Sequence, residues 1–204
     1  MKNLTVHWEG VSKNWRHIDT NQSKKNRLIY NYNEYLIKNL NIDEIKNSLD
    51  WGCGGGILTK ELKKISNTSV VDISPDSLKS CLKYTNPDYS QLIPSNLDDF
   101  SWGGTDIDFI LCHALVWHFP SIEYFKKILD IWKNLSPKYI AFNTKVIKDG
   151  YKETDNYSSN YLNALLLSDS VVEKMLKNIG YKVNSKSLVT TGVQHQTYFS
   201  FVKK

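Results

Sequence analysis

The sequence predicts an α/β fold: a seven-stranded, mostly parallel, doubly wound sheet with helices on both faces and a C-terminal antiparallel hairpin. Three observations support this prediction. Short apolar segments alternate with amphipathic ones over residues 45–145, a glycine-rich turn follows the first apolar segment, and two strand-like segments joined by TTG close the chain. Strands that alternate with helices are typical of a parallel sheet, whereas two consecutive strands joined by a short turn indicate a hairpin.

The first element predicted in the chain is a helix. Apolar and aromatic residues recur at helical spacing after Ser23, the candidate N-cap. Another helix is indicated by SPDSLKSCLKY, which offers the cap Ser74, Pro75 at the first helical position and an acid in the first turn. The elements predicted after the first helix are a strand over 47–51, a helix over 57–65, a strand over 68–73, the helix over 74–84 and a weak strand over 90–95.

The second half continues the alternation. DIDFILC is a strong strand pattern, and Pro120 opens the amphipathic segment IEYFKKILDIWKNL. Gly180 closes a further helix. The elements predicted here are a strand over 106–112, a helix over 122–135, a strand over 138–144, a helix over 169–179 and tail strands over 181–189 and 195–204.

Composition restricts the classes of protein to which this chain can belong. The 204 residues are 41% hydrophobic and 23% charged, an ordinary balance for one globular domain. The net charge of +5 is interleaved with acids, which favours a solvated basic face over a nucleic-acid footprint. Cys53, Cys81 and Cys112 form no CxxC pair, so no zinc or disulfide framework is indicated, and no apolar stretch has membrane length. We therefore expect a cytoplasmic protein.

The stretch LDWGCGGG has the pattern acid-x-G-x-G-x-G directly after the first strand. A dinucleotide fingerprint needs G-x-G-x-x-G, which Ile57 breaks, and no GK[ST] follows for a P-loop. A glycine turn between a strand and a helix lets a ligand approach the backbone. The loop therefore favours an adenosine ligand that carries no pyrophosphate.

At this point the sequence resembles the class I S-adenosylmethionine-dependent methyltransferases. LDWGCGGG is similar to the first motif of that family, and VVDISPDSL (70–78) is similar to the motif that follows it. SNLDDF (95–100), DIDFILCHALVWHFPS (106–121) and SPKYIAFNT (136–144) resemble the later motifs in the same order. The resemblance covers residues 45–145 and implies a methyltransferase that uses S-adenosyl-L-methionine and releases S-adenosyl-L-homocysteine.

The resemblance also implies which residues hold the cofactor. Asp72, at the end of the second strand, would accept both ribose hydroxyls. Asn96 replaces the commoner acid beside the adenine amino group, and Asp98 or Asp99 takes that role if the register slips. The full set of expected cofactor residues is Asp50, Gly52, Cys53, Gly54, Gly56, Asp72, Ile73, Asn96, Leu97 and Cys112.

The acceptor side is less constrained. His113 and His118 are the candidate catalytic residues, His113 as a general base, although a structural role is an open alternative for both. No metal site is expected. The candidate substrate-binding residues are aromatic and lie in the N-terminal arm, after the fourth strand and in the insert: Trp8, Trp15, Trp117, Tyr157 and Tyr161.

We expect transfer to a small-molecule acceptor, with oxygen ahead of nitrogen, by a monomer or homodimer that uses neither a membrane nor nucleic acid. An RNA methyltransferase and a silent S-adenosylmethionine-binding partner protein are the alternatives. The predicted layout is one methyltransferase domain over 1–204, with an arm and helix (1–40), a cofactor core (45–145), a substrate-side insert (146–168) and a C-terminal helix with an edge hairpin (169–204).

Overall fold

The computed structural model describes residues 21–145, 165–191 and 194–204. The chain divides into two compact units, the first formed by Met1–Glu34 with Asn41–Leu111 and the second by Tyr35–Leu40 with Cys112–Lys204. Seven strands form one mixed sheet in the order β3-β2-β1-β4-β5-β7-β6. The predicted fold class is confirmed, and the division into arm, core, insert and hairpin stays a prediction.

The first unit contains the parallel strands that the alternation predicts. β1 pairs with β2 and β4, and β2 pairs with β3, in every case parallel, so the carboxyl ends of these strands lie at one edge. The elements of this unit are α1 (Gln22–Asn31), β1 (Asn47–Trp51), α2 (Ile57–Leu62), β2 (Asn67–Asp72), α3 (Pro75–Thr85), β3 (Tyr89–Leu92) and β4 (Phe109–Cys112, whose last residue belongs to the second unit).

Capping residues determine where these helices begin. The side chain of Ser74 accepts a hydrogen bond from the backbone N–H of Ser77, as the sequence predicts for α3. For α1 the predicted cap is wrong: Asn21, not Ser23, accepts from the backbone N–H of Lys24. Asn and Ser are equally good caps, so the choice was decided by where the helical turn begins.

The predicted strand over 106–112 is too long, because β4 begins at Phe109. Asp108 lies just before β4 and hydrogen-bonds the backbone at the start of β1. One of its carboxylate oxygens accepts the backbone N–H groups of Lys46 and Asn47, each at 2.9 Å. This carboxylate therefore fixes the entry to β1, at the amino ends of the strands.

In its described residues, the second unit combines two α-helices with antiparallel strands. Its elements are α4 (Ile122–Leu135), β5 (Tyr139–Lys145), α5 (Asp169–Asn178), β6 (Tyr181–Thr191) and β7 (Gln194–Lys203). β7 pairs antiparallel with both β5 and β6, and Phe142, Phe199 and Phe201 form its buried aromatic core. α4 is capped by Ser121 rather than opened by Pro120, and Gly180, with φ of 95°, ends α5 as predicted.

No helix in the described ranges is both long and apolar enough to cross a membrane. The cytoplasmic location stays a prediction from the sequence.

Candidate functional site

The glycine loop after β1 is built from left-handed backbone. Gly52, Gly54 and Gly56 have φ of 81°, 52° and 84°, values that other residues rarely adopt. A Cβ added at Gly54 would meet no atom of the described residues within 4 Å, whereas one at Gly56 would lie 2.7 Å from Thr85 and 3.0 Å from Cys81. Gly56 therefore lets the loop pack against α3, and Gly54 leaves open space beside the backbone.

Asp72, the last residue of β2, holds this loop from the neighbouring strand. Its Oδ2 accepts the backbone N–H of Gly54 at 2.9 Å, and its Oδ1 accepts that of Ser74 at 2.8 Å. Burial raises the pKa of Asp72 to about 6, and hydrogen bonds from the backbone amides of Ser74, Gly54 and Ile73 oppose that rise. A carboxylate has about four lone-pair positions, so Asp72 can still accept a hydrogen bond from a ligand.

Asp50 lies within β1 and is almost fully buried. The hydroxyl of Thr59 donates to its Oδ2 at 2.6 Å, which ties β1 to α2. Burial raises the pKa of Asp50 to about 7; the Thr59 hydrogen bond lowers it, and the charge of Asp72 raises it. This hydrogen bond holds the helix that follows the glycine loop, and the assignment of Asp50 to the cofactor stays a prediction.

The thiol of Cys53 is also buried, in a cluster with Val70 and Cys81. A hydrogen bond with Cys81 and then burial hold the pKa of Cys53 well above its usual range. The Cys53 thiol is therefore protonated at neutral pH, as suits a packed loop residue.

The predicted adenine-side residues follow β3. Leu97 is buried and opens a short 3-10 turn. Asn96 is exposed and caps that turn, because its side-chain oxygen accepts the backbone N–H of Asp98 at 3.3 Å. Ile73, immediately after Asp72, is buried. The assignment of Asn96, Leu97 and Ile73 to the adenine stays a prediction.

One buried group in this unit was missed by the sequence analysis. The hydroxyl of Tyr32 is buried and has no hydrogen-bond partner within the part of the chain that the structure describes. Burial raises its pKa above the ordinary value, and the charges of Asp50 and Glu61 raise it further. A tyrosine at a regular apolar position of a helical pattern carries no signal that distinguishes it from a core residue.

The residues of the first unit fit a cofactor with an adenosine and an amino-acid end. Among the described residues, Gly54 offers backbone beside open space, Asp72 offers a carboxylate that can accept a further hydrogen bond, and Tyr32 offers a buried hydroxyl without a partner. These three groups supply an approach path, an acceptor for hydroxyl groups and a donor, respectively.

The longer segment of the second unit starts with Cys112, which is buried at the end of β4, and continues with His113. The Nε2 atom of His113 is buried and has no hydrogen-bond partner in the described ranges. Burial lowers the pKa of His113 to about 4, so its imidazole is neutral at physiological pH. Its ring centroid lies 6.0 Å from that of Tyr198.

The residue after His113 is held in place by a polar side chain from β5. Ala114 has φ of 57°, and its backbone N–H donates to Oδ1 of Asn143 at 2.7 Å. The Nδ2 of Asn143 donates to Gln196 at 2.9 Å, and the hydroxyl of Tyr198 donates to the same Gln196 oxygen at 3.0 Å. Asn143 therefore links the backbone beside His113 to the hairpin.

Trp117 and His118 lie in the short turn that follows. Trp117 is buried with Leu166 as its neighbour, and its ring is 5.6 Å from that of His118. The ammonium of Lys145, at the end of β5, lies 5.4 Å from the Trp117 ring centroid. Among the predicted substrate residues, Trp8, Trp15, Tyr157 and Tyr161 lie outside the described residues.

Sequence reasoning missed the supporting residues Thr59, Asn143, Gln196 and Lys145. Asn143 did leave a signal, since it is a polar residue inside the apolar run YIAFNT. A polar side chain in a buried strand needs a hydrogen-bond partner, and that partner can be found only once the strands are paired.

Comparisons with known proteins identify a family for part of the chain. Residues 49–135 match the family model of a methyltransferase domain. No curated protein matches the chain. The resemblance stated from the sequence is confirmed by the family-model match.

Solved structures share the fold at low identity. The N-methyltransferase NodS from Bradyrhizobium japonicum, solved with S-adenosyl-L-homocysteine, is 14% identical with a TM-score of 0.70, over 99% of each chain. Magnesium protoporphyrin IX methyltransferase from Synechocystis with the same compound is 16% identical with a TM-score of 0.63, over 92% of this chain and 84% of that one. An S-adenosylmethionine-dependent methyltransferase from Clostridium acetobutylicum is 14% identical with a TM-score of 0.63, over 98% and 99%.

Proposed function

We propose that this S-adenosylmethionine-dependent methyltransferase transfers the methyl group to an oxygen atom of a small molecule. One observation supports the oxygen acceptor above others: the buried, neutral Nε2 of His113 has no hydrogen-bond partner in the part of the chain that is described. A hydroxyl acceptor must lose a proton as it attacks, and an amine acceptor needs only to arrive deprotonated. An unpaired imidazole nitrogen therefore fits a hydroxyl acceptor better.

The cofactor supplies a methyl group that its sulfonium already activates. The first unit then binds and orients it. In our proposal Asp72 accepts the ribose hydroxyls through its free lone pairs, while its bonds to Gly54 and Ser74 keep the carboxylate in place. Asp50 holds the start of α2 through Thr59 and so maintains the loop. Alignment of this kind can contribute about 7–11 kcal/mol to a displacement reaction.

His113 acts on the acceptor. Since its pKa is lowered to about 4, the imidazole is uncharged throughout the neutral range, and in our proposal its free lone pair is on Nε2. It accepts the hydrogen bond of the acceptor hydroxyl and takes the proton as the oxygen attacks the methyl group. Positioned general bases contribute about 10²- to 10⁴-fold to rate. Asn143 positions His113 through its bond to Ala114.

Other residues complete the proposal. Trp117 forms a wall for the acceptor, and His118, in ring contact with Trp117, holds the turn. The acceptor is a small molecule rather than a nucleic acid, and the protein acts as a monomer or homodimer. Trp8, Trp15, Tyr157 and Tyr161 keep the substrate-binding role that the sequence suggests.

The test is a labelled-methyl transfer assay on matched panels of phenols, alcohols and amines, with bulk RNA as a further arm. We expect transfer to hydroxyl compounds. His113→Gln is expected to lower turnover by about 10²-fold or more with little change in affinity for S-adenosyl-L-homocysteine. His195→Gln is the control, because His195 bonds Thr190 in the hairpin and has no proposed role.

Three results would contradict the proposal. Transfer to amines with unchanged turnover in His113→Gln would assign the enzyme to nitrogen acceptors and remove His113 from catalysis. Methylation of RNA alone would replace the small-molecule acceptor. Binding of S-adenosyl-L-homocysteine without turnover on any arm would favour the silent partner protein.

A further inference from the structure

Lys145 is the last residue of β5, and its neighbours on the sheet are defined by register. β5 pairs antiparallel with β7 so that Lys145 is opposite Gln196 and Asn143 is opposite Tyr198. Residues directly opposite each other in an antiparallel pair share a face, and residues two apart on one strand share it too. All four side chains therefore occupy one face at the end of β5.

Lys145 is the only charged member of this group. The other three are neutral, and their side chains hydrogen-bond to one another around Gln196. No carboxylate in the described part of the chain lies within ion-pair distance of Lys145, and its ammonium lies 5.4 Å from the centroid of the Trp117 ring. His113 directly precedes Ala114, whose backbone N–H donates to Asn143, and its imidazole is neutral at physiological pH.

The position of Lys145 is unfavourable for a lysine without a counter-ion. Its side chain is half-buried, and burial lowers the pKa of the ammonium below its usual value. A lysine at a strand end can extend its ammonium into water, yet this one lies against a buried indole. A cation–π contact returns about 0.5–2 kcal/mol and neutralises no charge, so an anionic group placed here would still be stabilised.

We propose that Lys145 binds the carboxylate of the methyl acceptor, and that the acceptor is an aromatic carboxylic acid whose ring packs against Trp117. This inference rests on the proposed function, since it deepens the small-molecule acceptor of the same site. A carboxylate suits the group better than a phosphate, because a single lysine provides one point charge rather than the guanidinium fork or amide nest that phosphates use. An aromatic ring suits it because the Trp117 ring lies beside the Lys145 ammonium that would bind the carboxylate.

The test measures binding of para-hydroxybenzoate and of its neutral analogue para-hydroxybenzamide to the full chain saturated with S-adenosyl-L-homocysteine, by calorimetry. We expect the acid to bind about tenfold more tightly than the amide, the effect of one charge-assisted hydrogen bond. Lys145→Gln is expected to remove that preference and to leave the amide unaffected. Lys145→Arg is expected to retain most of it.

Lys138→Gln is the matched control. The ammonium of Lys138 lies 5.6 Å from the ring of Tyr139, so it makes a comparable cation–π contact at the opposite end of β5. We expect this variant to bind both compounds like the parent. Unchanged affinity for S-adenosyl-L-homocysteine in all three variants verifies that they are folded.

The outcomes separate this inference from the function on which it rests. Failure of the parent protein to bind S-adenosyl-L-homocysteine would overturn the proposed function. Normal binding of that compound, with acid and amide bound equally or with the preference retained in Lys145→Gln, would overturn the role of Lys145 alone. Binding of phenyl phosphate in place of the carboxylate would overturn the carboxylate assignment.

Discussion

The glycine loop after β1 and the turn after β4 both place left-handed backbone beside an ionisable side chain, but the hydrogen bonding of the two side chains differs. In the loop the positive φ values fall on glycines, and the Asp72 carboxylate accepts two backbone N–H groups. After β4 the positive φ falls on Ala114, and the Nε2 of His113 has no partner in the described ranges.

The difference shows which region is complete without a ligand. A buried polar atom that lacks a hydrogen bond costs about 1–3 kcal/mol, and left-handed backbone costs about 1–2 kcal/mol at a residue other than glycine. The loop avoids both costs at its central residues. The turn after β4 accepts both, so a ligand that bonds His113 would recover part of the cost. This is the behaviour expected of a site that becomes complete on acceptor binding.

The largest expected effect is on cofactor affinity, and it should distinguish the glycine loop from the turn after β4. Asp72→Ala should reduce affinity for S-adenosyl-L-homocysteine at least about 100-fold, because it removes the ribose acceptor and frees Gly54 and Ser74 together. His113→Ala should leave that affinity within about twofold and act on turnover. Calorimetric titration measures both.

Asp108→Ala is the matched control for Asp72→Ala. Asp108 also accepts two backbone N–H groups, but it lies at the amino ends of the strands. We expect a similar loss of thermal stability and no loss of cofactor affinity. Equal cofactor affinities in the two aspartate variants would remove Asp72 from the ribose role.

Within the loop, Gly54 and Gly56 should separate binding from stability. Gly56→Ala should lower the free energy of unfolding by about 2–4 kcal/mol, because its Cβ would press on Thr85 and Cys81 in addition to the backbone strain. Gly54→Ala adds a methyl group in open space, so it should cost only about 1–2 kcal/mol of backbone strain. Urea unfolding measures these values.

Cofactor affinity should show the reverse order. The new methyl of Gly54→Ala occupies the space that we assign to the ligand, so its affinity for S-adenosyl-L-homocysteine should fall about tenfold or more. Gly56→Ala should keep near-normal affinity once folded. Equal affinity of Gly54→Ala and the parent would show that the open space is not used.

The smallest expected effect is a pH dependence. The pKa of Asp72 is raised to about 6 without ligand, and hydroxyl donors favour the charged form, so binding should lower that pKa and release protons. Affinity for S-adenosyl-L-homocysteine should therefore rise by up to about tenfold as pH increases from 5 to 7, the window in which the free Asp72 ionises. His113, with a pKa of about 4, should contribute little in that window.

Calorimetry in two buffers with different ionisation enthalpies measures the proton release. Asp72→Asn serves as the control and should lose the dependence. A dependence of equal size in Asp72→Asn would assign the titration to Asp50, whose pKa burial raises to about 7.

Local sequence signals were sufficient for most of the first unit. The acid-x-G-x-G-x-G pattern, Ser74 with Pro75 and the spacing from Asp50 to Asp72 are all features of short segments, and the structure places them together at one edge of the parallel strands. Short-range features of this kind depend on backbone geometry and capping, which neighbouring residues determine.

The partners of those residues could not be predicted in the same way. Nothing near Asp50 in sequence indicates that Thr59 donates a hydrogen bond to it, and nothing near His113 indicates that its Nε2 has no partner among the described residues. Asn96 shows the same limit of sequence-based prediction. Its position matches a family motif, but its side chain caps a turn, which the motif does not indicate. Side-chain pairing depends on which elements pack together.

By itself, the sequence determined the order of helices and strands along the chain, the glycine loop, the acid at the end of β2 and the family resemblance. These features follow from periodicity and from residues that are close together along the chain. Only the tertiary structure decided that Asn143, 29 positions away in sequence, accepts the backbone N–H of Ala114. It also decided that Gln196 accepts hydrogen bonds from Asn143 and Tyr198. Finally, it placed the Lys145 ammonium beside the Trp117 ring, with no carboxylate of the described residues within ion-pair distance. The physical reason is register: β5 and β7 are distant in sequence, and only their pairing brings these side chains onto one face.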